Sequence, residues 1–228
     1  MAELIVALDL PTGAAALRVV ERVGDTVLWY KVGPVLLVAE GPSIVRDLVA
    51  RGRRVFLDLK WHDIPTTVGA AVEQAAALGA SLATLHLAGG RAMLRAAVDA
   101  AAGRLALAGV GVLTSLDEQS YGEIVGRKVD DVGAELVRLA RLGTAAGLDG
   151  VVTSPRELGA LRAALGPRTL LVVPGVRRPG EAAGDQARTA TPREAVAAGA
   201  DLLVVGRPVT SAADPRSAAL AILEDMGT

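Results

Sequence analysis

Eight short apolar runs, each followed by a stretch whose apolar residues recur at spacings of three and four, constrain this chain more than any other feature. The runs lie at 4–10, 27–33, 54–60, 82–88, 106–114, 150–154, 169–175 and 201–207, and they are rich in Val, Leu and Ile. Near-continuous apolar strands are buried on both faces, as happens when parallel strands are joined by crossover helices. Pro65, Pro155 and Pro192 open several of the intervening segments, where a proline suits the first helical turn. Eight such units closing one sheet predict a (β/α)8 TIM barrel over residues 1–228 as a single domain, within the roughly 200–250 residues such barrels commonly take. A doubly wound open sheet shows the same local alternation, but the first run ends Ala-Leu-Asp-Leu-Pro and lacks a Gly-rich dinucleotide turn.

Composition narrows the function classes. With 24 basic against 25 acidic residues there is no overall field to attract nucleic acid or an anionic membrane, so any anion must be captured locally. Aromatic residues make up 2% of the chain, which leaves little surface for stacking bases. No apolar run approaches the roughly 18 residues of a membrane span. There is no cysteine for a disulfide or a thiolate metal site, and the start of the chain reads as a strand rather than a secretory signal, so a cytoplasmic location is expected. No metal site is expected either: His62 and His86 lack matched ligand spacing and are read as satisfying local hydrogen bonds.

Chemistry concentrates where the third run meets its helix, in Phe56-Leu57-Asp58-Leu59-Lys60-Trp61-His62-Asp63-Ile64-Pro65-Thr66-Thr67. Period-two alternation sends Asp58 and Lys60 to one side, at the strand end that forms the catalytic rim of a barrel. Charges there are tolerable only if paired, and a structural ion pair capping the strand satisfies the same spacing. Asp9 at the end of the first run and Lys31 in the second can extend the pair into an alternating array, in which carboxylates hold each lysine charged and ready to donate a proton. Two connections, 115–131 and 176–190, are long for loops after strands and would cover that rim. Barrels often hold phosphate on the loops after the seventh and eighth strands, where Arg177, Gln186, Gly206 and Arg207 fall; Arg178 and Arg188 read as solvated surface charges. Thr114 and Ser115, closing the fifth run, can contact a ligand or simply cap the next turn.

The pattern Asp58-x-Lys60-x-x-Asp63-Ile64-Pro65-x-Thr67 resembles the signature of the orotidine 5′-monophosphate decarboxylases. Asp9, Lys31, Thr114, Pro174-Gly175-Val176-Arg177, Asp185-Gln186 and Gly206-Arg207-Pro208 follow in family order across nearly the whole chain. Trp61 stands where Phe is usual and Thr66 where bacterial members often have Asn. The resemblance implies a cofactor-free decarboxylation of orotidine 5′-monophosphate to UMP in pyrimidine biosynthesis, with Lys31, Asp58, Lys60 and Asp63 as the catalytic array and Lys60 protonating C6. It further implies that Asp9 and Lys31 bind the ribose, Thr114 the pyrimidine, and Arg177, Gln186, Gly206 and Arg207 the phosphate. Asp63 and Thr67 would reach the neighbouring subunit's site, so the active unit would be a homodimer. Two other readings fit less well. The Mg2+-dependent sugar-phosphate decarboxylases and aldolases of the same superfamily share Asp-x-Lys-x-x-Asp but carry an acidic metal ligand where Lys31 stands, and a silent nucleotide-binding barrel has no need of a complete charge array.

Overall fold

The computed structural model describes residues 2–177 and 190–227. Among them eight strands, β1 (Glu3–Ala7), β2 (Trp29–Val32), β3 (Arg54–Trp61), β4 (Leu82–His86), β5 (Ala106–Val110), β6 (Gly150–Val152), β7 (Leu170–Pro174) and β8 (Leu202–Val205), pair in chain order. All are parallel, and β8 returns to β1, so the sheet closes into the expected (β/α)8 barrel. Helices cross back between successive strands, for instance Gly13–Val23 after β1, Pro65–Ala77 after β3 and Gly90–Ala101 after β4. Pro65 and Pro192 each occupy the first turn of a helix, while Pro155 opens a 3-10 turn ahead of the helix Leu158–Leu165. No helix of the described residues is long and apolar enough to cross a membrane.

Strand alternation divides the apolar side chains between two cores. On β1, Leu4 and Val6 pack outward against the helices, whereas Ile5 and Ala7 join Trp29, Phe56, Val172 and Val204 inside the barrel. Burying each large aliphatic side chain contributes about 1.5–3 kcal/mol, and the two layers together make the strands rigid supports for whatever projects from their ends. The inward columns change character toward the C-terminal rim: Trp29 is followed two residues later by Lys31 on β2, and Phe56 by Asp58 on β3. The fold thereby delivers charges onto an apolar floor.

Several strands stop short of their expected ends. Asp9 lies past β1, Thr114 past β5, and Arg207 begins a short helix, Arg207–Thr210, after β8. For β5 the last pair with β6 is Val110↔Val152, where β6 itself ends, and the chain then turns into the 3-10 turn Pro155–Glu157. The connection 115–131 is not simply a loop either: it holds the helix Glu118–Val125, which Asp117 caps by accepting from Ser120 N at 2.8 Å and Gly126 ends in a left-handed conformation. Residues 178–189 of the second long connection lie outside the described residues; its base is joined by Arg177 N donating to Ala190 O at 3.0 Å.

Candidate active site

Four charged side chains form a continuous chain across the rim. Lys31 Nζ donates to Asp9 Oδ1 at 2.8 Å and lies 3.5 Å from Asp58 Oδ2, while Lys60 Nζ donates to Asp58 Oδ1 at 2.9 Å. The order is anion, cation, anion, cation. Its centre is secluded, with the side chains of Lys31 and Asp58 only 11% and 13% exposed, whereas Asp9 faces solvent. Gly33 makes the first pair possible: a Cβ there would sit 2.8 Å from Asp9 Oδ1 and 3.2 Å from Lys31 Nζ.

Plain period-two alternation is not what brings Asp58 and Lys60 together. Against β4, β3 pairs Leu57↔Ala83 and then Trp61↔Leu85, so Asp58, Leu59 and Lys60 stand opposite Thr84 alone. This bulge places Lys60 at φ 52°, a left-handed conformation that costs a residue with a Cβ roughly 1 kcal/mol or more. Thr84 compensates for the lost ladder bonds. Its fully buried hydroxyl accepts from Lys60 N at 3.0 Å and donates to Asp58 Oδ1 at 2.9 Å. Sequence reasoning passed over Thr84; the available signal was a hydroxyl within the apolar run Leu-Ala-Thr-Leu-His.

These contacts set the protonation states. Burial pushes the Asp58 carboxyl up, but Lys31, Lys60 and the hydrogen bonds from Lys60 and Thr84 outweigh it and hold the group below its ordinary range. Asp58 is therefore an anion at neutral pH. His86, at the end of β4, is pushed down by burial and by the charges of His62 and Lys60, and hydrogen-bonds to the Val110 backbone. Its ring centroid lies 5.5 Å from that of His62. No group of three or more His, Cys, Asp or Glu suited to a metal ion occurs among the described residues.

A cleft of about 480 Å³ opens above this array, a size that suits a small-molecule ligand. Asp9, Lys31, Asp58 and Lys60 line it together with Arg177, Gly206 and Arg207, and Thr114 and the apolar Val110, Val112, Val152 and Pro174 complete the wall. The expected residues of the rim thus converge, with three exceptions. Asp63 and Thr67 are exposed and do not line their own subunit's cleft; Asp63 Oδ1 instead accepts from Ile64 N at 2.6 Å. Gln186 lies outside the described residues. At Gly206 a Cβ would meet only Ala7, at an ordinary 3.7 Å, so the protein's own packing does not demand glycine there.

An eight-stranded parallel barrel whose cleft, at the C-terminal ends of its strands, joins an alternating lysine–carboxylate array to a pair of arginines belongs to the class of barrels built to act on small anionic molecules. Comparison with known proteins gives the particular family. Residues 2–222 match the model of the orotidine 5'-phosphate decarboxylase / HUMPS family, and the chain belongs to that family. It is 54% identical over 222 residues to an orotidine 5'-phosphate decarboxylase of Anaeromyxobacter dehalogenans, covering 95% of this chain and 94% of that one. It is 45% identical over 234 residues to that of Moorella thermoacetica, covering 98% and 92%. The crystal structure of an orotidine 5'-phosphate decarboxylase from Lactobacillus acidophilus superimposes with a TM-score of 0.90 at 31% identity, over 100% of both chains.

Proposed function

We propose that this chain decarboxylates orotidine 5′-monophosphate to UMP and CO2, a step of pyrimidine biosynthesis, with no cofactor. The observation that carries the reading is the array Asp9–Lys31–Asp58–Lys60 at the rim of the cleft, in a chain whose curated relatives bear that enzyme's name. The reaction breaks the bond between C6 and its carboxylate and leaves an electron pair on a ring carbon with no conjugated sink. Fixed positive charge then has to stabilise that pair more than it stabilises the substrate. Lys60 fills this role: its ammonium faces the developing carbanion, transfers a proton to C6, and is reprotonated from water. Asp58, anionic at neutral pH, meets the departing carboxylate and disfavours the ground state.

The remaining roles in this reading are those the family resemblance implies. Asp9 and Lys31 bind the ribose hydroxyls, Thr114 the pyrimidine edge, and Arg177, Arg207, Gln186 and the Gly206 backbone the phosphate, whose binding energy offsets the cost of desolvating the ring. Asp63 and Thr67 complete the array of a second subunit in a homodimer. Their exposure at the start of the helix Pro65–Ala77, with apolar Ile64 also exposed between them and Val35 and Val38 exposed on the helix after β2, supports such a contact. A Mg2+-dependent reaction on a sugar phosphate is the rival within the family's barrel, and Lys31, already paired with both carboxylates, would repel a divalent cation. Incubating the pure protein with orotidine 5′-monophosphate in EDTA and following UMP tests the reading. Undiminished UMP formation supports it; activity that appears only with Mg2+, or on a sugar phosphate alone, replaces it.

A further inference from the structure

We infer that Thr84 is a positioning residue for the lysine–carboxylate array: its hydroxyl holds the bulge of β3 in the one conformation that aims Lys60 and Asp58 together into the cleft. This rests on the assignment of decarboxylation to that cleft. On β4, Thr84 is the lone residue opposite Asp58, Leu59 and Lys60, between the register pairs Leu57↔Ala83 and Trp61↔Leu85. A bulge frees backbone groups from the ladder, and a freed N–H in a buried place needs another acceptor. For Lys60 that acceptor is Thr84 Oγ1, at 3.0 Å. The same oxygen donates its proton to Asp58 Oδ1 at 2.9 Å, the oxygen that also receives Lys60 Nζ at 2.9 Å.

One hydroxyl therefore ties the main chain of Lys60 to the carboxylate that meets its side chain, in a closed circuit of three hydrogen bonds. The donor and acceptor directions are forced. A backbone N–H can only donate and an ionised carboxylate can only accept, so a hydroxyl, which does both, fits between them. Thr84 is 0% exposed and its neighbours Ala83 and Leu85 are apolar and buried, so the hydroxyl itself is shut off from solvent. The left-handed φ of 52° at Lys60 is a conformation that persists only where its surroundings over-determine it, and the Thr84 contact to Lys60 N restrains the main chain there while Asp58 restrains the side chain. Thr84 does not line the cleft and need not touch substrate, so its effect reaches chemistry through the two groups that do.

Three variants separate positioning from bulk packing. Thr84→Val keeps the shape and removes the hydroxyl, Thr84→Ala removes both hydroxyl and methyl should Val not fit, and Thr84→Ser restores the hydroxyl alone. The expected result is a fall in kcat of at least about tenfold for Val and Ala, equivalent to about 1.4 kcal/mol, with KM changed less than about threefold and Ser within about threefold of wild type. Crystal structures of Thr84→Val and Thr84→Ala should show Lys60 leaving its left-handed φ or its Nζ parting from Asp58. Val and Ala variants that keep wild-type kcat, a Ser variant as impaired as Val, or unchanged Lys60 geometry without the hydroxyl each overturn the inference. Wild-type protein that does not decarboxylate sinks the functional assignment instead, and the variant structures then decide the positioning role on their own.

Discussion

Replacing Lys31 by Met removes the central cation of the array while keeping its length and apolar stem. Lys31 Nζ lies 3.5 Å from Asp58 Oδ2, and two unit charges at that distance attract by about 5 kcal/mol at an effective dielectric of about 20, before desolvation is counted. Removing one partner of a buried pair costs about 3–5 kcal/mol, because the other charge is left behind. Asp58 retains Lys60 at 2.9 Å, and the exposed Asp9 is simply rehydrated, so about 2–3 kcal/mol is expected at pH 8. The loss should depend on pH with a definite sign. In the wild type the Asp58 carboxyl is held below its ordinary value of 3.8, so its contribution is fully present above that value and is lost as pH falls through the lower folded one. Without Lys31 the largest of the influences that hold the carboxyl down is gone and the folded value moves up, so the variant is most penalised at neutral pH and recovers part of the deficit by binding a proton in acid. Urea unfolding of both proteins at pH 8 and pH 4 reads the difference. A deficit below about 0.5 kcal/mol at pH 8, within the range of an ordinary surface substitution, or one equal at both pH values, would refute the reasoning.

Lys60→Ala should leave the fold intact and remove nearly all decarboxylation while substrate binding suffers much less; retention of more than about a tenth of wild-type kcat in steady-state assays rules out its role as proton donor. Arg207→Ala should raise KM about tenfold or more through loss of a charge-assisted phosphate contact, and equal KM values would place the phosphate elsewhere. Mixing Lys60→Ala with Asp63→Ala subunits should recover activity approaching about a quarter of wild type, since half of randomly reassorted dimers are mixed and each has one intact site of two. No recovery, with subunit exchange verified by mass spectrometry, would confine Asp63 to its own subunit.

The barrel was legible because its signal is repeated and local. Each apolar run needs only its own residues to declare a strand buried on both faces, and each of the eight observed strands overlaps a run. The same holds for Lys31 and Asp58: two residues after Trp29 and Phe56, they continue inward columns that alternation alone defines. The short helix Glu118–Val125 also had a local signal, in Asp117 and Gly126 at its two ends, although its length invited reading the segment as a loop.

Tertiary structure decided what depends on a partner strand. The runs show where β3 and β4 lie but carry no record of their register, and a bulge is a mismatch between two registers. The left-handed turn at Lys60, the reach of its Nζ to Asp58 and the use of Thr84 to satisfy both follow from that mismatch. The end of β5 belongs to the same pairing problem: its last partner is Val152, where β6 ends, and Thr114 stands beyond the ladder as a loop residue in the cleft wall. Side-chain periodicity belongs to one segment, whereas a hydrogen-bond ladder belongs to two, and only the closed barrel brings the two together.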